Sequence, residues 1–218
     1  MHIHPNQPMT ASQGVPAQRQ HGFSMLEVLI SMFIMAVGLL GLVGMQAMAQ
    51  KAELESYQRA QALILLNDIV DRINTNRKGA ICYAVTTNTS TGTPYLGSAG
   101  TNNYSLASYS CTGAGSNTAA IDRAENDLTD IDAMLRGSAE QLGSGQVGAM
   151  IGARACIGFD TTTQAYAVAV AWQGISPTYS PSGWTSAPAV VSSCAINLYG
   201  DDTQRRVVWN TVRVATLQ

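Results

Sequence analysis

The polar and apolar positions of this chain fall into blocks of different period. Residues 1–21 are polar, rich in Gln, Pro and His, with one Arg and no apolar run. From Val28 to Met45 eighteen residues carry no charge, and the uncharged stretch continues to Gln50. A bilayer's hydrocarbon core needs roughly 20 apolar residues at about 1.5 Å each, so residues 23–50 are predicted to form a membrane-spanning helix. An ordinary secretory signal has its apolar stretch ahead of the cut, which residues 1–21 lack.

Beyond Gln50 the pattern becomes amphipathic. Leu54, Leu63, Leu66, Ile69, Val70 and Ile73 recur near a 3.6-residue period, with Lys51, Glu53, Glu55, Arg59, Asp68, Asp71 and Arg72 between them. No Pro interrupts Phe23 to Asn76, which predicts one helix of 54 residues, roughly 80 Å long, with Gly79 as its end signal. Its second half, residues 51–78, is expected to lay one face on a head domain spanning 79–218. Gly38, Gly41 and Gly44 suit either a close-packing surface between membrane helices or a weakened stretch of helix.

Residues 84–118 are dominated by Thr, Ser, Asn, Gly and Ala and predict a long loop region. Ala119 to Leu142, with Leu128, Ile131, Leu135 and Leu142 among acids, predicts a short surface helix. The period then switches to two, over about Val147–Phe159, Gln164–Gln173 and Arg205–Leu217. In the second run Tyr166, Val168, Val170 and Trp172 alternate with Ala165, Ala167, Ala169 and Ala171, so one strand face is bulky and the other small. Asp160–Thr163 suits a hairpin turn. Either face could meet the helix, and the Ala face is expected against something that approaches closely. The fold class is therefore α+β, a long N-terminal helix packed on a C-terminal antiparallel sheet.

Composition narrows the function. The net charge of −2 offers no basic surface for nucleic acid, and charged residues are only 12% of the chain. Cys82, Cys111, Cys156 and Cys194 have no CxxC spacing and no nearby His, which argues against zinc. They read as two disulfides of an exported chain in an oxidising compartment, with three connectivities open. His2, His4 and His21 all precede Phe23, so a chain cut before Phe23 has no histidine for a triad, a Cys–His dyad or an imidazole metal site. A Ser–Lys pair with Lys51 or Lys78 is the one nucleophile arrangement left. Asp122, Glu125, Asp127, Asp130 and Asp132 lack the calcium-loop pattern and read as a solvated helix face. GSGQVGAMIG at 143–152 lacks the Lys and Ser/Thr of a phosphate loop, and there is no GxSxG. NTS at 88–90 fits the glycosylation pattern. No catalytic residue, metal or cofactor is expected, and the chain is read as structural.

The informative segment is GFSMLEV at 22–28, between the polar leader and the apolar run. A carboxylate within a membrane helix costs on the order of 2.5–3.5 kcal/mol, and such residues mark functional pairings. Cleavage after Gly22 would create an α-amino group on Phe23, one helical turn before Glu27 or offered to the same residue of a neighbour. In low dielectric the ammonium and the carboxylate attract strongly, which gives register to an assembling bundle of helices.

This run, followed by an uncharged helix, resembles the class III signal of type IV pilins and type II secretion pseudopilins. The resemblance implies that a prepilin peptidase cuts between Gly22 and Phe23 and N-methylates Phe23, removing residues 1–22. Loss of Arg19 leaves 11 Lys and Arg against 14 Asp and Glu, a net charge of −3. SMLEVLISMFIMAVGLLGLVGMQ, RAQALILLNDIVDRINTNR and CAINLYGDDTQRRVVWNTVRV are together similar to PilV-type minor pilins; residues 83–125 are outside the likeness. That implies a type IV pilin-like fold and a role in priming pilus assembly and in adhesion or twitching motility. The implied partners are the prepilin peptidase, other minor pilins, the major pilin and a pilus-tip adhesin. The implied location is the inner membrane, with the head in the periplasm, and then the pilus. The pairing Cys82–Cys111 and Cys156–Cys194 follows from order along the chain and from the resemblance. The rival assignments are a minor pseudopilin and a permanently anchored periplasmic binding protein.

Overall fold

The computed structural model describes residues 22–98, 104, 111, 114, 117–138, 141–142, 145–146 and 150–215. The predicted leader up to His21, most of the loop between residues 99 and 116, most of the glycine-rich stretch 143–149, and both predicted strand ends at 147–149 and 216–217 lie outside the described residues. The chain divides into two compact units, Met1–Ala47 and Met48–Gln218.

In the first unit the described residues from Met25 onwards are helical and exposed throughout. They begin α1 (Met25–Thr75), whose apolar stretch has the length and composition to cross a membrane. In the second unit α1 buries Gln58, Ala62, Leu65, Leu66, Ile69 and Ile73, a stripe at three- and four-residue steps. Two predicted core positions are corrected: Leu54 and Leu63 stay 54% and 42% exposed, and Ala62 and Leu65 take their places.

The helix ends four residues before the predicted signal. Buried Asn76 turns the chain, donating from Nδ2 to the Ala120 carbonyl at 2.8 Å, and a 3-10 helix follows over Arg77–Tyr83. Gly79 lies inside that turn and serves close approach instead, since a Cβ there would sit 2.5 Å from the Ala120 carbonyl oxygen.

The head sheet has strand order β1-β4-β5-β6, with every neighbour antiparallel: β1 (Leu96–Gly97), β4 (Arg154–Asp160), β5 (Ala165–Gln173) and β6 (Arg205–Val212). Between β1 and β4 come α2 (Thr118–Leu135) and a separate two-stranded pair, β2 (Gln141–Leu142) with β3 (Gly145–Gln146). α2 is shorter than its pattern predicts because Gly137, at φ +88, closes it. The Gly137 and Ser138 amides donate to the Met134 and Ala133 carbonyls, a Schellman end that leaves Leu142 to β2. The first predicted strand starts later, at Arg154, after a turn with Gly152 at φ +62, and the third ends at Val212.

The faces of β5 are sorted by bulk. Tyr166, Val168, Val170 and Trp172 join one core with Leu66, Ile69 and Ile73 of α1 and Leu128, Ile131 and Leu135 of α2. Burying each such aliphatic side chain contributes about 1.5–3 kcal/mol. Ala167, Ala169 and Ala171 face a second core with Tyr95, Tyr199, the Cys156–Cys194 pair, and Val190 and Val191 of the short α3 (Ala189–Ser193). The small face admits that covering segment closely; a Cβ on Gly158 would already lie 3.2 Å from Val190.

Candidate processing and assembly site

Gly22, Phe23 and Ser24 precede α1 and are not helical. Among the described residues nothing packs within 4 Å of a Cβ built on Gly22, and Phe23 is 83% exposed, so these residues leave the 22–23 peptide bond open to a protease. Helix begins at Met25 because Ser24 caps it. The Ser24 hydroxyl oxygen accepts the Glu27 amide at 3.2 Å, and its carbonyl accepts the Glu27 and Val28 amides at 3.0 and 3.3 Å. Ser24 and Glu27 have the S-x-x-E spacing of a capping box, a sequence signal for the helix start that is separate from the charge of Glu27.

The capped start sets the geometry of the site. Phe23 stands just outside the first turn, and Glu27 stands in that turn, exposed. Cutting between Gly22 and Phe23 puts an ammonium at the end of an intact helix, where an acid in the first turn also complements the positive helix terminus. The site is thus an open peptide bond with an acid in the capped helical turn behind it.

The cysteines lie in the head. Cys82 joins Cys111 across 29 residues, and Cys156 joins Cys194 across 38, with Cα–Cα distances of 5.4 and 5.8 Å. Among the described residues no group of His, Cys, Asp and Glu could hold a metal.

The α2 acids do more than face solvent. Asp127 and Asp130 take Arg72 of α1 at 2.8 and 3.3 Å, and Asp127 also accepts the Tyr83 hydroxyl. Buried Asp132 accepts the Gly97 amide at 2.8 Å and pairs with Arg136 at 2.7 Å. Asp122 and Glu125 remain exposed. Burial, and after it the Asp127 hydrogen bond, pushes the Tyr83 phenol well above its ordinary range.

The Prokaryotic N-terminal methylation motif matches residues 17–43. That span contains Gly22, Phe23 and Glu27 together with the first turns of α1. No curated protein and no solved structure matches the chain. The motif supports a type IV pilin or pseudopilin, made as a precursor for a prepilin peptidase and assembled with other pilins. A long N-terminal helix, apolar in its first half and packed by its second half onto a four-stranded antiparallel sheet, is consistent with the type IV pilin fold.

Proposed function

We propose that the chain is a minor pilin of a type IV pilus that primes assembly and serves pilus-dependent adhesion or twitching motility. The observation that carries this is the placement of Glu27 in a capped first turn directly behind the Gly22–Phe23 bond, within the methylation motif. The prepilin peptidase would remove residues 1–22 and methylate Phe23. The mature chain would be held in the inner membrane by residues 23–50, with residues 79–218 as a disulfide-bonded head in the periplasm. Glu27 of one subunit would then take the Phe23 ammonium of another, so that minor and major pilins, and a tip adhesin, enter one fibre.

The role is structural. The PilV-like segments at residues 24–46, 59–77 and 194–214 favour a pilus over the pseudopilus of a type II secretion system, which uses the same terminal chemistry.

Glu27→Val tests the assignment. Leader loss is expected to be intact by mass spectrometry, with the variant depleted from sheared fibres. Unchanged incorporation, or a purified protein still beginning at Met1, overturns it.

A further inference from the structure

Immediately past the uncharged run, α1 carries Lys51, Glu55 and Arg59 at four-residue steps on one face. Glu55 is spoken for. Its Oε1 accepts the Ile175 and Ser176 amides at 3.1 and 3.0 Å and Arg206 Nη2 at 3.3 Å. Arg206 is also consumed, donating further to Thr178 Oγ1 at 2.7 Å and to the Thr203 and Ser176 carbonyls. Lys51 and Arg59 are exposed, and neither joins any of the ion pairs among the described residues. The face therefore presents two uncompensated cations beside a neutralised pair.

Beside Arg59 the head opens into a cavity of about 380 Å³ lined by Arg59, the Glu55–Arg206 pair, Trp172, Tyr179 and Trp184, while Lys51 stands outside that lining two turns earlier on α1. Trp172 closes its floor at 3% exposure, and Tyr179 stands 72% exposed at its rim. An adjoining cavity of about 310 Å³ shares Arg59, Trp172 and the Glu55–Arg206 pair.

The distance from the uncharged run indicates the ligand. Lys51 follows Gln50 directly and falls inside the polar zone of the leaflet, roughly 5–8 Å deep, whereas Arg59 is nine residues past Gln50, about 14 Å along the helix, and reaches back to that zone on its long side chain. Helix side chains tilt toward the N-terminus, which leans Lys51 and Arg59 back toward that zone. Trp and Tyr favour the same interface because one end of each is apolar and the other polar. An unpaired Arg59 flanked by amphipathic aromatics, with Lys51 nearer the uncharged run, matches a phosphodiester.

We propose that this groove binds the phosphate of a phospholipid headgroup in the leaflet from which the helix emerges. The inference rests on residues 28–50 spanning a bilayer. Binding would hold the unassembled subunit with its groove on the membrane surface.

The test uses the full chain in nanodiscs of phosphatidylcholine, alone or with phosphatidylglycerol. A benzophenone amino acid replaces Tyr179 or, as a control, Asp122 on α2, and intact mass is read after illumination. A single phospholipid adduct is expected at 179 and not at 122, with phosphatidylglycerol captured beyond its share. Lys51→Glu with Arg59→Glu is expected to lower that preference by about fivefold or more. An inserted chain that gives no adduct at 179, or an undiminished preference in the double variant, overturns the proposal alone. A chain that carbonate extracts from vesicles overturns the membrane span and the proposal together. The same probe in cells, captured by an acidic protein segment and not by lipid, also overturns it.

Discussion

Arg72 on α1 places Nη1 2.8 Å from Asp127 Oδ1 on α2, and Asp127 in turn accepts the hydroxyl of Tyr83. One carboxylate thus ties the long helix, the turn that ends it and the second helix together.

Asp127→Ala removes the acceptor while Arg72 stays partly buried and the Tyr83 ring stays fully buried. Leaving buried donors unmatched costs about 1–3 kcal/mol. The expected result is a lower melting temperature in a thermal denaturation followed by circular dichroism, with both disulfides intact. Asp122→Ala, exposed on the same helix, is expected to stay near the parent.

Acid should loosen the head through Asp202. Burial alone would raise this carboxyl, but the hydrogen bonds from Arg205 and Ser180, with the charge of Arg205, hold it at about 2 instead of its ordinary 3.8. A group lowered on folding stabilises above its unfolded value and loses that contribution as pH falls. About 2 kcal/mol should disappear between roughly pH 4 and pH 2. Glu55, lowered chiefly by the Ser176 amide against its own burial and helped by Arg206, acts in the same direction. Denaturant titrations at several pH values should show that fall, and Asp202→Asn should flatten it while lowering the plateau near neutral pH.

Arg154 should prove sensitive to shape as well as charge. Its guanidinium carbon lies 5.3 Å from the Tyr95 ring centre and 5.1 Å from that of Tyr199, with no carboxylate paired to it among the described residues. Each desolvated cation–aromatic contact contributes up to about 2 kcal/mol, and a Lys ammonium cannot stack as the planar guanidinium does. Arg154→Lys is therefore expected to destabilise more than Tyr199→Phe. The latter keeps the ring and loses the 2.9 Å hydrogen bond to the Gly152 carbonyl, about 1 kcal/mol, so equal losses in chemical denaturation would contradict this account.

Ser24→Ala should fray the start of α1 without touching the Glu27 carboxylate. Loss of such a cap costs about 0.5–2 kcal/mol of helix stability. Amide exchange of the mature chain in micelles should quicken at Glu27 and Val28, and Ser24→Thr should restore protection.

What could be read from the sequence was local. The polar N-terminal segment, the apolar run and the GFSMLEV segment declare themselves by composition and adjacency, and β5 declares itself by strict alternation of bulky and small residues. The amphipathic half of α1 was visible too, although its period put Leu54 and Leu63 inside, where the buried stripe uses Ala62 and Leu65. Such features need only neighbours a few residues away, because a helix or strand imposes its period on its own segment.

Tertiary structure decided the rest. Period two in β5 fixes that its faces differ, but only packing determines that the bulky face meets α1 while the Ala face takes α3 and the Cys156–Cys194 bond. The α2 acids looked like a solvated face until Arg72, some 55 residues earlier, was brought against Asp127. The Arg59 cation acquires a groove only because Trp172, Tyr179, Trp184 and Arg206 arrive from more than 100 residues away. Pairings of that range depend on which surfaces exclude water together, and no window of sequence contains both partners.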